Sequence, residues 1–134
     1  LTVAEKIYGG FELNFAAANL ARASLRGADL SYANAEGVDL READLRLATL
    51  IETQLSHADL RKADLGGANF TNADLQFARL NGSNMQGVIL KGAVLNGADL
   101  SEVENLDIDA LRSAIGDGET RLPAQFASCH IWNL

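Results

Sequence analysis

From residue 13 to residue 102 the chain repeats every five residues without a slip of phase. The stretch ADLRKADLGGANFTNADL, residues 58–75, shows the pattern. Every fifth residue from Phe15 to Leu100 is apolar, and fourteen of these eighteen positions are Leu. Two residues before each is a small position, with Ala in thirteen of eighteen; the exceptions are Leu13, Val38, Thr53, Ser83 and Val88. The residue between the two is Asp or Asn in twelve of eighteen units. The other two places are mostly polar, charged or Gly.

A period of five excludes the regular elements. In a helix, five residues turn the chain about 140° beyond a full circle, which scatters the leucines around the axis. In a flat strand they alternate between faces. A coil with corners satisfies the pattern: each unit makes one side, the chain turns between units, and four units close a square of twenty residues. Leu and Ala then point inward, and residues twenty apart stack. The predicted core includes Phe15, Leu20, Leu40, Leu60, Leu65, Phe70, Leu75 and Leu100. One column runs Phe15, Ala35, Leu55, Leu75, Leu95, and is thinnest at Ala35. Gly ends the unit at 27, 37, 67, 82, 87, 92 and 97, which predicts type II turns concentrated between residues 80 and 98.

This A(D/N)LXX pattern resembles the pentapeptide-repeat family. The resemblance covers residues 13–102 and implies an all-β fold, a right-handed quadrilateral β-helix with four pentapeptides per coil. Eighteen units then make about four and a half coils. Fold alone does not fix function.

An open β-helix exposes unpaired backbone at both ends, so caps are expected. Three segments follow: residues 1–12 as an N-terminal cap, 13–102 as the β-helix, and 103–134 as a C-terminal helical cap and tail. Residues 3–8, VAEKIY, suit a short helix. At the other end Asp107 reads as an N-cap, with Ile108, Leu111 and Ile115 at helical spacing and Gly116 as the stop. This helix is expected across the last coil, over Met85, Leu90, Leu95 and Leu100. The segment AIGDGETRLP, residues 114–123, is similar to a tail that follows the repeats in many bacterial pentapeptide-repeat proteins. Beyond it lie Phe126, Ile131 and Trp132, which either pack on the cap or form an apolar docking patch. Leu111, Ile115, Phe126 and Trp132 are the candidate residues for end-to-end homodimer formation.

Little here points to catalysis or to a cofactor. His57 stands in the column Ala17, Gly37, His57, Phe77, Gly97 and is expected to rest on the Phe77 ring. Cys129 and His130 are adjacent but isolated, short of a metal-ligand set. The glycines follow the period and belong to turns, not to a phosphate loop. The chain reads as non-enzymatic, with no metal or cofactor. No apolar run approaches a membrane span. A cytoplasmic location is favoured, although the sequence begins at Leu1 and a targeting segment removed before it would not be visible.

The net charge of −7 disfavours direct nucleic-acid binding. Some pentapeptide-repeat proteins resemble DNA in girth and charge and bind gyrase or other type II topoisomerases, conferring quinolone resistance. Residues 13–102, however, hold eleven acids and eight bases, so more than half the net charge lies outside the repeats. Asp39, Asp44 and Asp59 also precede Arg41, Arg46 and Arg61 by two residues. Arg41 and Arg61 are expected to stack on one side, Arg26 and Arg46 on the next. The preferred reading is a structural or protein-binding module with an unknown protein partner; the alternative is a gyrase-binding DNA mimic. Apolar residues interrupt the polar outer pattern at Leu47, Ile51, Phe77, Ile89 and Val94, with Tyr32 nearby. Leu47, Ile51 and Ile89 are the candidate binding face.

Overall fold

The computed structural model describes residues 13–132. The helix expected over residues 3–8 and the cap over 1–12 lie outside them. Parallel bridges join residues twenty apart from Asn14↔Asn34 to Asn84↔Glu104. A turn follows each three-residue side, so four sides complete one coil.

One unit shows how the main chain is satisfied. The Asp59 amide donates to the Val38 carbonyl of the coil below at 2.9 Å, and the Leu60 amide to Arg79 of the coil above at 2.7 Å. The Lys62 amide reaches Asn81 at 3.0 Å, and the Ala63 amide closes the turn on Leu60 at 3.1 Å. The Arg61 amide has no carbonyl in this scheme and donates instead to Asp59 Oδ1 at 3.2 Å. All five amides are thus paired, as buried backbone requires. The same side-chain acceptor recurs at Asn14, Asn19, Asp29, Asn69 and Asp99, among others. Asp and Asn hold this position because a short side-chain oxygen reaches the amide two residues on. Thr49 does not serve, and the Ile51 amide turns to Ser31 Oγ of the coil below at 3.3 Å.

The turns correct one expectation. They are not concentrated between residues 80 and 98. The second turn residue has positive φ in every unit, whether Gly, as at Gly82, or not, as at Glu42 (57°), Leu47 (59°) and Lys62 (59°). Every corner thus has, at its second residue, the positive φ that a type II turn requires. The coil demands this geometry at every corner, so glycine eases the turn without locating it.

Leu40, Leu60, Leu65, Phe70, Leu75 and Leu100 are fully buried. Phe15 and Leu20 are only partly buried against this core. They lie in the first described coil and have a described coil on one side only. Ala35 remains buried despite its small volume.

The C-terminal segment differs from the sequence reading. Helix α1, Ile108–Arg112, is capped by Asp107, whose side chain accepts the Asp109 amide at 3.0 Å. Its Leu111 joins the same buried cluster as Met85, Leu90, Leu95 and Leu100. The helix ends well before Gly116, and Ile115 is not on it. Ile115 forms a further rung, donating to Ala93 at 2.8 Å and accepting from Leu95 at 2.7 Å. Arg121 forms another with Asp99. The β-ladder therefore runs past residue 102. Two backbone hydrogen bonds to an open edge outweigh one more helical turn at a β-branched residue. A 3₁₀ turn at Ala124–Phe126 follows, and the tail folds back.

Candidate functional site

Each coil offers four outer faces, and the charges on them are largely paired. Arg41 makes a two-pronged contact with Asp39, Nε to Oδ1 at 2.9 Å and Nη2 to Oδ2 at 2.7 Å. Arg46 with Asp44 and Arg61 with Asp59 repeat it. The arginines also reach the carboxylates one coil on, Arg41 to Asp59 at 3.9 Å and Arg46 to Asp64 at 3.8 Å. Hydrogen bonds from the Arg41 side chain and amide hold Asp39 at about 2, and Arg46 holds Asp44 at about 2 likewise. Arg61 lowers Asp59 in the same way, against an opposing push from partial burial.

The apolar candidates gather around one face. Thr49, Asn69 and Ile89 project from its rungs; Leu47 stands at the corner before it and Ile51 at the corner after. Leu47 is 58% exposed and Ile89 45%, whereas Ile51 is half-buried. Leu47 leans onto Gly67, where an added Cβ would lie 2.7 Å from its Cδ2. Glycine there lets the leucine lie flat along the wall. Phe77 is exposed on the diagonally opposite corner. His57 stacks on it with ring centroids 5.2 Å apart and planes 14° from parallel.

At the C-terminal end, Leu111 is buried, and Phe126, Ile131 and Trp132 pack against the core. Trp132 Nε1 donates to the Ala114 carbonyl at 2.9 Å, and its ring covers Gly116. The tail thus lies on the cap. Ile115, expected beside Leu111, is 52% exposed. Cys129 and His130 line a shallow hollow of about 260 Å³ with Asp117. Among the described residues no cluster of three His, Cys, Asp or Glu side chains is placed to hold a metal ion. No described helix is long and apolar enough to cross a membrane.

A family model described as pentapeptide repeats matches residues 12–46, 48–87 and 68–104, with eight copies. The chain belongs to the pentapeptide-repeat family. Solved structures of the family resemble it closely. One is a pentapeptide-repeat protein of the Arabidopsis thaliana thylakoid lumen, 37% identical, covering 75% of this chain and 68% of its own, with a TM-score of 0.70. A second comes from the cyanobacterium Nostoc, at 34% identity, 87% and 96% coverage and a TM-score of 0.69. HetL of Nostoc, involved in heterocyst differentiation regulation, is 32% identical with a TM-score of 0.68, and the match spans 77% of this chain but 45% of HetL. These relatives establish a right-handed β-helix. The quinolone-resistance protein QnrB1 aligns with a TM-score of only 0.34 and 20% identity, too distant to bear on this chain. No protein of curated function matches the sequence.

Leu47, Ile51 and Ile89 stand out in the sequence as apolar residues in a polar outer pattern; the fold sets them around one face, with Leu47 and Ile89 exposed and Ile51 half-buried. The sequence did not show that Arg22, Arg41, Arg61 and Lys62 line one hollow of about 480 Å³ at a single corner. The twenty-residue stacking was the available signal.

Proposed function

We propose that this pentapeptide-repeat protein is a non-enzymatic structural and protein-binding module that presents a rigid wall to a protein partner. The face bearing Leu47, Ile51 and Ile89 is the contact surface. The observation that carries this reading is the placement of two large exposed aliphatic side chains, Leu47 and Ile89, around one face of an otherwise polar wall. Clustered exposed apolar surface is a feature of interaction sites. The ladder beneath it is hydrogen-bonded coil to coil, so little ordering cost attends binding.

The gyrase-binding alternative is weaker. A DNA mimic needs uncompensated negative charge, and Asp39, Asp44 and Asp59 are each held by an arginine. End-to-end homodimer formation is also the weaker proposal, because Trp132 and Phe126 already pack against the cap and leave Ile115 as its exposed apolar residue.

The test is affinity capture from the source cell with the wild type and with the double variant Leu47→Asn, Ile89→Asn. Asn tolerates the positive φ at 47, and at 89 it supplies the usual acceptor for the Lys91 amide, so the variant is expected to fold. A partner retained by the wild type and lost by the variant supports the reading. Identical capture by both removes this face. Inhibition of a gyrase supercoiling assay beyond an equally acidic control would restore the alternative.

A further inference from the structure

The face opposite the apolar one has an unusual charge balance. It and the corner that follows carry Arg22, Arg41, Arg61, Lys62, Arg79 and Arg121 against five acids, net +1 in a chain of net −7. The remainder of the chain is therefore −8. At the corner the long side chains stand around a hollow of about 480 Å³. Its lining includes four cations and one acid, Glu42, and that acid is engaged by Arg22 at 3.1 Å. Ala21 keeps one end open. Beyond Arg61 and Lys62 a second hollow of about 340 Å³ continues over Gly82, reaching Asp99 and Glu102. The two form one groove along the rod axis. From Arg22 to Glu102 it spans four coil rises, about 19 Å at strand spacing.

We propose that this groove docks an extended peptide segment rich in Asp and Glu. The Asp39 and Asp59 forks do not use up Arg41 and Arg61. Each engages Nε and Nη2, so the fork leaves the Nη1 hydrogens unused and able to donate to a second carboxylate. The forks also hold the guanidinium groups in place, which lowers the entropy cost of binding. Among the described residues Lys62 has no carboxylate within ion-pair distance, so it is the cation most available to a ligand. A nucleic acid fits less well. Its continuous phosphates need an extended basic track, and here a groove with five cations ends at Asp99 and Glu102 on a molecule acidic elsewhere. The groove faces away from Ile89, and one whole side of the rod, that of Asp44, Asp64 and Asn84, separates it from the Leu47 corner, so the inference stands apart from the proposal for that face.

The experiment is fluorescence anisotropy of labelled hexaglutamate with the intact protein at about 20 mM salt, where surface charges are weakly screened. Saturable binding that weakens with salt is expected. Lys62→Glu should reduce affinity about tenfold or more, equivalent to about 1.4 kcal/mol. Glu already occupies the same turn position at Glu42 and Glu52 with the same positive φ, so the backbone accepts the change. Lys91→Glu, with the same change in net charge at the diagonal corner, should stay within about twofold. Arg22→Ala, at a side chain 80% exposed, is a second variant that leaves the fold intact and should also weaken binding. The proposal is overturned by no binding at low salt, by equal losses in Lys62→Glu and Lys91→Glu, or by tighter binding of a single-stranded oligonucleotide than of the peptide.

Discussion

Asp39 Oδ1 accepts two hydrogen bonds from Arg41, one from the backbone amide at 3.1 Å and one from Nε at 2.9 Å. The first completes the turn and the second fixes a charge on the wall. Asp44 with Arg46 and Asp59 with Arg61 do the same. One local unit therefore serves both the fold and the surface electrostatics, and this couples stability to acid.

These carboxylates are held below their ordinary values, so the folded chain takes up protons less readily than the unfolded chain. Their contribution is complete above the unfolded value of about 3.9 and is lost as pH falls through the folded value. With Asp39 and Asp44 at about 2, melting temperature should be flat with respect to these groups at neutral to mildly acid pH, and should fall between about pH 4 and pH 2. The double variant Arg41→Gln, Arg46→Gln should show a shallower fall. Thermal melts in a pH series decide it; equal slopes would refute the coupling.

The core leucines carry most of the burial. Leu60 is 0% exposed and stacks between coils. Leu60→Ala should destabilise by about 2–5 kcal/mol, read from urea denaturation. A midpoint equal to that of the wild type would show that the wall, not the core, holds the rod.

Two hydroxyls sit at the small inward position with opposite consequences. Thr53 Oγ1 donates to the Leu30 carbonyl at 2.9 Å, while Ser83 Oγ is buried with no hydrogen-bond partner among the described residues. Ser83→Ala should stabilise by about 1 kcal/mol, and Thr53→Ala should destabilise by about as much or more. Denaturation of the pair measures the difference; the same sign for both would contradict the hydrogen-bond assignment.

Gly37 and Gly97 occupy the same column at φ 67° and 70°, yet their neighbours differ. A Cβ at Gly37 meets nothing within 4 Å, whereas one at Gly97 would lie 2.5 Å from two ring carbons of Phe77. Gly37→Ala should cost about 1 kcal/mol from the left-handed backbone alone. Gly97→Ala should cost at least about 1 kcal/mol more, since the ring must move. Adding Phe77→Ala should remove that excess. Calorimetric melts of the single and double variants test this, and equal costs at the two glycines would mean the ring yields freely.

The five-residue period alone dictates the coil. Leucine every five residues can be buried on every side only if the chain turns after each unit, and the short Asp or Asn oxygen before it accepts from the amide that the coil leaves unpaired. Stacking followed from the same arithmetic, so His57 on Phe77 and the gathering of Leu47, Ile51 and Ile89 were legible. The end of the rod was not. Ile108, Leu111 and Ile115 read as one helix, but at the end of the rod the bridge spacing becomes 21 at Val94↔Ile115 and 22 at Asp99↔Arg121. Once the phase is lost, local spacing no longer says whether Ile115 continues a helix or joins an edge. The open backbone of Ala93 and Leu95 decided it, and those partners lie about twenty residues away in sequence. The basic corner belongs to the tertiary structure for the same reason. Arg22, Arg41, Arg61 and Lys62 face one hollow because four-sided coils stack them, while along the chain they read as scattered surface charge.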